Sequence, residues 1–93
     1  MTRKRLEAVV TGRVQGVGFR EYVRHEASTR GLTGYVRNSD DGRSVEIVAE
    51  GEEQELRSLV DAMRDGPRFA RIEEIAADFS DATNGFGRFS VEF

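Results

Sequence analysis

The chain has 93 residues, no cysteine, one histidine and a formal net charge of −3. That length makes one domain with a modest core, and the composition rules out disulfides, thiolate metal sites and a zinc centre built on histidine. No apolar run reaches membrane-spanning length, and the basic start at Arg3-Lys4-Arg5 has no signal-peptide core behind it, so the expected compartment is the cytoplasm.

Residues 6–12 alternate, with Leu6, Ala8 and Val10 on one side, and read as a half-buried strand. Val9, on the other side, suggests that the back face is also partly covered. Residues 20–30 read as a helix, in which Phe19, Tyr22, Val23 and Ala27 form one apolar stripe. Glu21 puts negative charge in the first turn, and Gly31 supplies a stop. Arg24 and His25 fall on the wet side. Residues 32–38 read as a second strand, and Gly34 inside it predicts a close approach to the backbone. Ser39-Asp40-Asp41-Gly42 is a turn with the Asp-Gly signal of a hairpin. Residues 44–50 form a third strand, antiparallel to the second, with Val45, Ile47 and Ala49 on one face and Glu46, Val48 and Glu50 on the other.

Gly51 is expected to open a second helix, with Glu52, Glu53 and Glu55 loading its first turn. Leu56, Leu59, Val60 and Met63 make its core stripe, and Gly66-Pro67 ends it. Residues 71–79 read as a fourth strand with Ile75, Ala77 and Phe79 on one face. A loop follows at 81–85, and Phe89, Val91 and Phe93 alternate in a short last strand. The order β-α-β-β-α-β plus a final strand predicts a ferredoxin-like α+β fold over a single domain, 1–93. Its antiparallel sheet carries both helices on one face through right-handed crossovers. Enzymes, RNA binders and regulatory modules all use that fold.

The stretch Gly12-Arg13-Val14-Gln15-Gly16-Val17-Gly18-Phe19-Arg20 joins the first strand to the first helix. Free N–H groups and the positive end of a helix dipole meet at such a junction. Gly16 and Gly18 let several N–H groups turn toward one point, and Arg20 adds a permanent planar cation. Together they suit a phosphoryl group. A cation at a helix N-terminus opposes the dipole, so Arg20 is locally unfavourable there unless an anion visits. A Walker loop is excluded, because the only lysine is Lys4. A dinucleotide fingerprint is excluded too, because Glu21 stands where its third glycine belongs. Residues 1–43 carry nine basic and five acidic side chains, against five and twelve in residues 44–93. The positive half thus contains the loop and could steer a small anion, although solvated faces alone give the same pattern.

The spelling of residues 12–20 resembles the first signature of the acylphosphatases. Gly34-Tyr35-Val36-Arg37-Asn38, followed by Gly42, Val45 and Gly51, resembles the second. This chain has two residues, Arg43 and Ser44, between Gly42 and Val45, where the family usually has one. The resemblance covers nearly the whole chain. It implies hydrolysis of acyl phosphates to a carboxylate and inorganic phosphate. In that scheme Gln15, Gly16, Val17, Gly18, Phe19 and Arg20 hold the phosphoryl group, and Asn38 orients the attacking water. Ser39 could support Asn38 through its hydroxyl or be a plain turn serine. No cofactor or metal is implied. The expected partner is a small acyl phosphate, acting on a monomer that needs neither nucleic acid nor membrane. Within the same fold, the residues also leave open a carbamoyl-phosphate-handling unit like that of hydrogenase-maturation carbamoyltransferases, an RNA-binding module and a small-molecule regulatory domain. The RNA reading needs exposed aromatics on the sheet and a basic surface, whereas the aromatics mostly follow core periodicity and the net charge is negative.

Overall fold

Alternating apolar residues give each strand one face to bury, and two amphipathic helices supply the cover. In the computed structural model, which describes residues 2–93, the order is β1 (Arg3–Arg13), α1 (Phe19–Thr29), β2 (Thr33–Asn38), β3 (Ser44–Glu52), α2 (Glu53–Asp65), β4 (Arg71–Asp81) and β5 (Phe89–Glu92). The strands form one sheet in the order β4-β1-β3-β2-β5. Leu6, Val10, Val36 and Ile47 from the sheet meet Phe19, Val23 and Ala27 of α1 and Leu56, Leu59 and Met63 of α2 in one core. Burying each such large side chain contributes about 1.5–3 kcal/mol, so this shared face holds the two layers together. The ferredoxin-like order is therefore present, with both helices on one face.

The sheet is not wholly antiparallel. The pairs β1–β3, β1–β4 and β2–β3 are antiparallel, but β5 lies parallel to β2. The register explains why. Asp81 at the end of β4 lies opposite Lys4, and Thr33 at the start of β2 lies opposite Glu50. Both are at the same end of the sheet. The segment 82–88 crosses that end and enters the far edge running in the direction of β2.

Three further readings change. Gly51 lies in β3, opposite Lys4, and the helix starts two residues later. Glu50 lies on the same face as Glu46, as alternation predicts, but the crossing segment covers that end of the face and the Glu50 side chain is fully buried. It accepts the Thr83 and Asn84 N–H groups at 3.0 and 2.7 Å, the Thr83 hydroxyl at 2.8 Å and Arg5 at 3.0 Å. Burial pushes its carboxyl up, but these bonds outweigh burial and hold it down at about 2. Phe93 stands beyond β5 and is wholly exposed. The aromatics are also less uniformly internal than their spacing suggests. Phe19 and Phe89 are buried and Tyr22 and Phe79 pack against the core, while Phe69 is exposed and Tyr35 meets Phe86 outside the core cluster.

Gly34 does mark a close approach. Its φ is 139°, and a Cβ there would sit 1.9 Å from the Val48 carbonyl oxygen. The neighbour is β3 itself, so the glycine lets β2 lie tight against it.

Candidate active site

The loop of residues 14–18 and Asn38 come together at one end of the sheet. β1 delivers the loop there, because Arg13 is its last residue. Asn38 ends β2, opposite Val45 near the start of β3. The β2–β3 register runs without a break from Thr33↔Glu50 to Asn38↔Val45, so the extra turn residue displaces nothing in the ladder. The turn absorbs it locally. Asp41 accepts the N–H groups of Arg43 and Ser44 at 2.8 and 3.0 Å and the Ser44 hydroxyl at 2.7 Å. The bond from that hydroxyl, with those N–H groups, holds the Asp41 carboxyl below its ordinary value.

Gly16 and Gly18 have φ values of 74° and 79°, in the left-handed region, so the backbone curls. Gly18 is the N-cap of α1, and no side chain caps the helix. The Tyr22 N–H closes the first turn on the Gly18 carbonyl at 3.0 Å. Among the described residues, no hydrogen bond uses the N–H groups of residues 15–18. A curved row of unpaired N–H groups thus runs into an uncapped helix N-terminus, which is an anion receptor. Val14 and Phe19 are buried at either end of the curl and tie it to the core.

Side chains hold the cup in place. The Gln15 amide Nε2 donates to the Ser39 and Ser44 carbonyls, both at 2.9 Å. This clamps the loop against the hairpin, beside Asn38 and Val45. Arg20 reaches across α1 to β5. Its Nη1 donates to the Glu92 carbonyl at 2.9 Å, and its Cζ lies 4.7 Å from the centre of the Phe93 ring. No carboxylate among the described residues pairs with it. The guanidinium is thus oriented by neutral groups and keeps its charge for an incoming anion. The cleft bounded by Gly16, Gly18, Arg20 and Phe93 measures about 250 Å³, and Phe93 separates it from a second cleft of about 260 Å³ at Asn38 and Asp40.

Asn38 Oδ1 is buried and accepts no hydrogen bond from the protein. An unpartnered buried oxygen costs about 1–3 kcal/mol, which a turn residue has no reason to carry. Of the two readings of Ser39, the structure shows the turn serine. Its hydroxyl donates to Glu46 at 3.1 Å and its N–H to the Ser44 carbonyl at 2.9 Å, so it closes the hairpin. Sequence reasoning missed the Glu92 carbonyl, the Phe93 ring and the clamp made by the Gln15 side chain.

The acylphosphatase family model matches residues 6–91. The chain belongs to the acylphosphatase family. An acylphosphatase of Salinibacter ruber is 50% identical over 90 residues, covering 97% of this chain and 94% of that one. The crystal structure of the acylphosphatase from Bacillus subtilis superposes with a TM-score of 0.92 at 46% identity, covering 97% of this chain and 99% of the other. The structure of an acylphosphatase from Coxiella burnetii gives 0.90 at 32% identity, covering 98% and 94%. This chain has the acylphosphatase fold, and in it the loop of residues 14–18 and Asn38 lie at one end of the sheet. No helix among the described residues is long and apolar enough to cross a membrane.

Proposed function

We propose that this acylphosphatase-family chain hydrolyses acyl phosphates at the cup formed by Gln15, Gly16, Val17, Gly18, Phe19 and Arg20, with Asn38 aiming the water. The observation that carries this reading is the set of N–H groups at residues 15–18 that find no partner among the described residues, beside an arginine that pairs with no carboxylate among them.

The chemistry fits those groups. Water attacks phosphorus, the bond from phosphorus to the acyl oxygen breaks, and the products are a carboxylate and inorganic phosphate. A carboxylate leaves readily, so the site needs no strong general acid. Negative charge spreads over the phosphoryl oxygens in the transition state, and the N–H groups and Arg20 meet it without reorganising. The proton released by water passes to a phosphoryl oxygen of the substrate. The Asn38 carboxamide offers both an acceptor and N–H donors and does not titrate, so it can hold the water in one orientation across a wide pH range. Such positioning is worth up to ~7 kcal/mol in favourable cases. This reading needs no metal, no covalent intermediate and no second subunit, and the protein works on a small soluble substrate.

The deciding experiment follows inorganic phosphate release from benzoyl phosphate in metal-free buffer. We expect turnover that EDTA leaves unchanged. Arg20→Ala should lower kcat/KM by about 10²-fold or more and weaken competitive inhibition by phosphate, because it removes the cation of the cup. Near-normal turnover in that variant would sink the assignment.

A further inference from the structure

The hairpin turn between β2 and β3 carries one residue more than the family usually has, and Asp41 organises it. Its Oδ1 accepts the Arg43 and Ser44 N–H groups, and its Oδ2 accepts the Ser44 hydroxyl. Ser44 is buried and pairs with Thr11, on the last rung between β3 and β1. With its N–H and its hydroxyl both bound to one carboxylate, Ser44 has little freedom to turn. Its carbonyl is thereby held at the neck of the hairpin. There it accepts the Ser39 N–H and the Gln15 amide, both at 2.9 Å. Gln15 Nε2 has two hydrogens and no more. One goes to the Ser44 carbonyl and the other to the Ser39 carbonyl, so the grip needs both carbonyls at a fixed separation. Arg43 braces the same turn differently. Its carbonyl accepts the Gly12 N–H at 2.9 Å, and its guanidinium donates to Glu73 at 2.9 Å. Those bonds run to β1 and β4, and neither reaches Gln15.

We propose that Asp41 is a positioning residue for the phosphoryl cup: it fixes the Ser44 carbonyl, and through that carbonyl the Gln15 grip that holds the loop beside Asn38. This rests on the assignment of the cup above. The hydrogen bonds of the Asp41 carboxylate go to Arg43 and Ser44, not to the loop or to Asn38. Its effect on the cup is therefore indirect, and the branch through Ser44 and Gln15 is the one that reaches the loop. Hydrogen bonds to a carboxylate are about twice as strong as neutral ones, so Asp41 holds Ser44 harder than a neutral turn residue would. The longer turn thus makes the spacing between cup and hairpin depend on a carboxylate that meets no substrate.

The test is a double-mutant cycle between Asp41 and Gln15, read as competitive inhibition of benzoyl phosphate turnover by inorganic phosphate, beside kcat. Asp41→Ala should weaken phosphate by about three- to fivefold and lower kcat. Asp41→Asn should recover most of that loss, because its Oδ1 still accepts both N–H groups. In the Gln15→Ala background, Asp41→Ala should add less than about 1.5-fold, since the grip it serves is already gone. Arg43→Gln breaks only an exposed ion pair and should leave phosphate affinity within about 1.5-fold of the unaltered protein. Should Asp41→Ala fail to fold, Ser44→Ala reads the same coupling: it removes one bond to Asp41 and should give a smaller loss that Gln15→Ala also abolishes. A lower melting temperature with phosphate affinity unmoved would make Asp41 a structural turn residue only. That outcome, losses that multiply in the double variant, or an equal loss in Arg43→Gln overturns the positioning role, while phosphate-inhibited turnover in the unaltered protein leaves the cup standing. Absence of both turnover and phosphate binding in the unaltered protein overturns both.

Discussion

A buried carboxamide oxygen with no partner is expensive, and Asn38 carries one at the end of β2, beside the loop. Asn38→Ala removes that oxygen along with its function, so it should not destabilise the fold. Kinetically it should lower kcat by about 10²–10³-fold, the usual effect of losing one positioned polar group, while competitive inhibition by phosphate changes little. Phosphate-inhibition kinetics decide the matter, because equal losses in turnover and phosphate affinity would make Asn38 a shaper of the loop instead. The residue scale is also where the sequence was most unevenly readable. Gly16 and Gly18 mark a tight turn without saying what it holds, and Arg20 stands out because a cation opposes the dipole at a helix start. Asn38 does not, because asparagine before a turn ordinarily caps backbone groups. The contact of Arg20 with Glu92 spans 72 positions and runs through a carbonyl, so no residue type records it.

Between elements, the β2–β3 hairpin and the β1–α1 loop have to hold one spacing, and the Gln15 side chain sets it. Its amide spans the Ser39 and Ser44 carbonyls at 2.9 Å each. Gln15→Ala leaves the cup's N–H groups in place but unclamps them from the hairpin that carries Asn38. Phosphate binding should weaken by about three- to tenfold and kcat should fall as well, since two hydrogen bonds of ~1 kcal/mol each no longer fix the geometry. Calorimetric titration with phosphate, beside steady-state kinetics, measures both. An unchanged kcat would mean that the hairpin holds itself in position through Asp41 and Ser44. Gly34→Ala acts on the same hairpin from its other end. A Cβ 1.9 Å from the Val48 carbonyl cannot be accommodated, so β2 must move off β3. That variant should lose ~2 kcal/mol or more in denaturant unfolding. Element type and order were legible because alternation and helical spacing are local. The parallel entry of β5 was not, since it follows from which end of the sheet β4 reaches.

Over the whole molecule, the proposed phosphoryl cup and the acid-sensitive Glu50 sit at opposite ends of the sheet. Glu50 lies opposite Arg5 on β1, and eight strand residues at ~3.3 Å each put it roughly 25 Å from the loop. It ties down the crossing segment through Thr83 and Asn84, and that segment carries the chain to β5, which supplies the carbonyl for Arg20. The folded carboxyl titrates at about 2 against an ordinary 4.5. A depressed pKa means that the folded state prefers the charged form, so this stabilisation is fully present above pH 4.5 and is lost as pH falls toward about 2. Alternation along β3 places Glu50 on the face of Glu46, as observed, but it cannot show that the crossing segment covers that end of the face. Glu50→Gln replaces an acceptor of four bonds with a group half of which donates, facing N–H groups that also donate, and it strips Arg5 of one partner. At pH 7 it should cost ~2–4 kcal/mol. Thermal melts from pH 7 to pH 2.5 should show the gap between the two proteins narrowing steadily below pH 4.5, because only the unaltered protein has this carboxylate to protonate. Folded Glu50→Gln protein should still turn over benzoyl phosphate at pH 7, since neither the cup nor Asn38 contacts that end of the sheet. A gap of constant size down to the lowest pH would mean that Glu50 works through packing and hydrogen bonding alone, and its charge would drop out of the account.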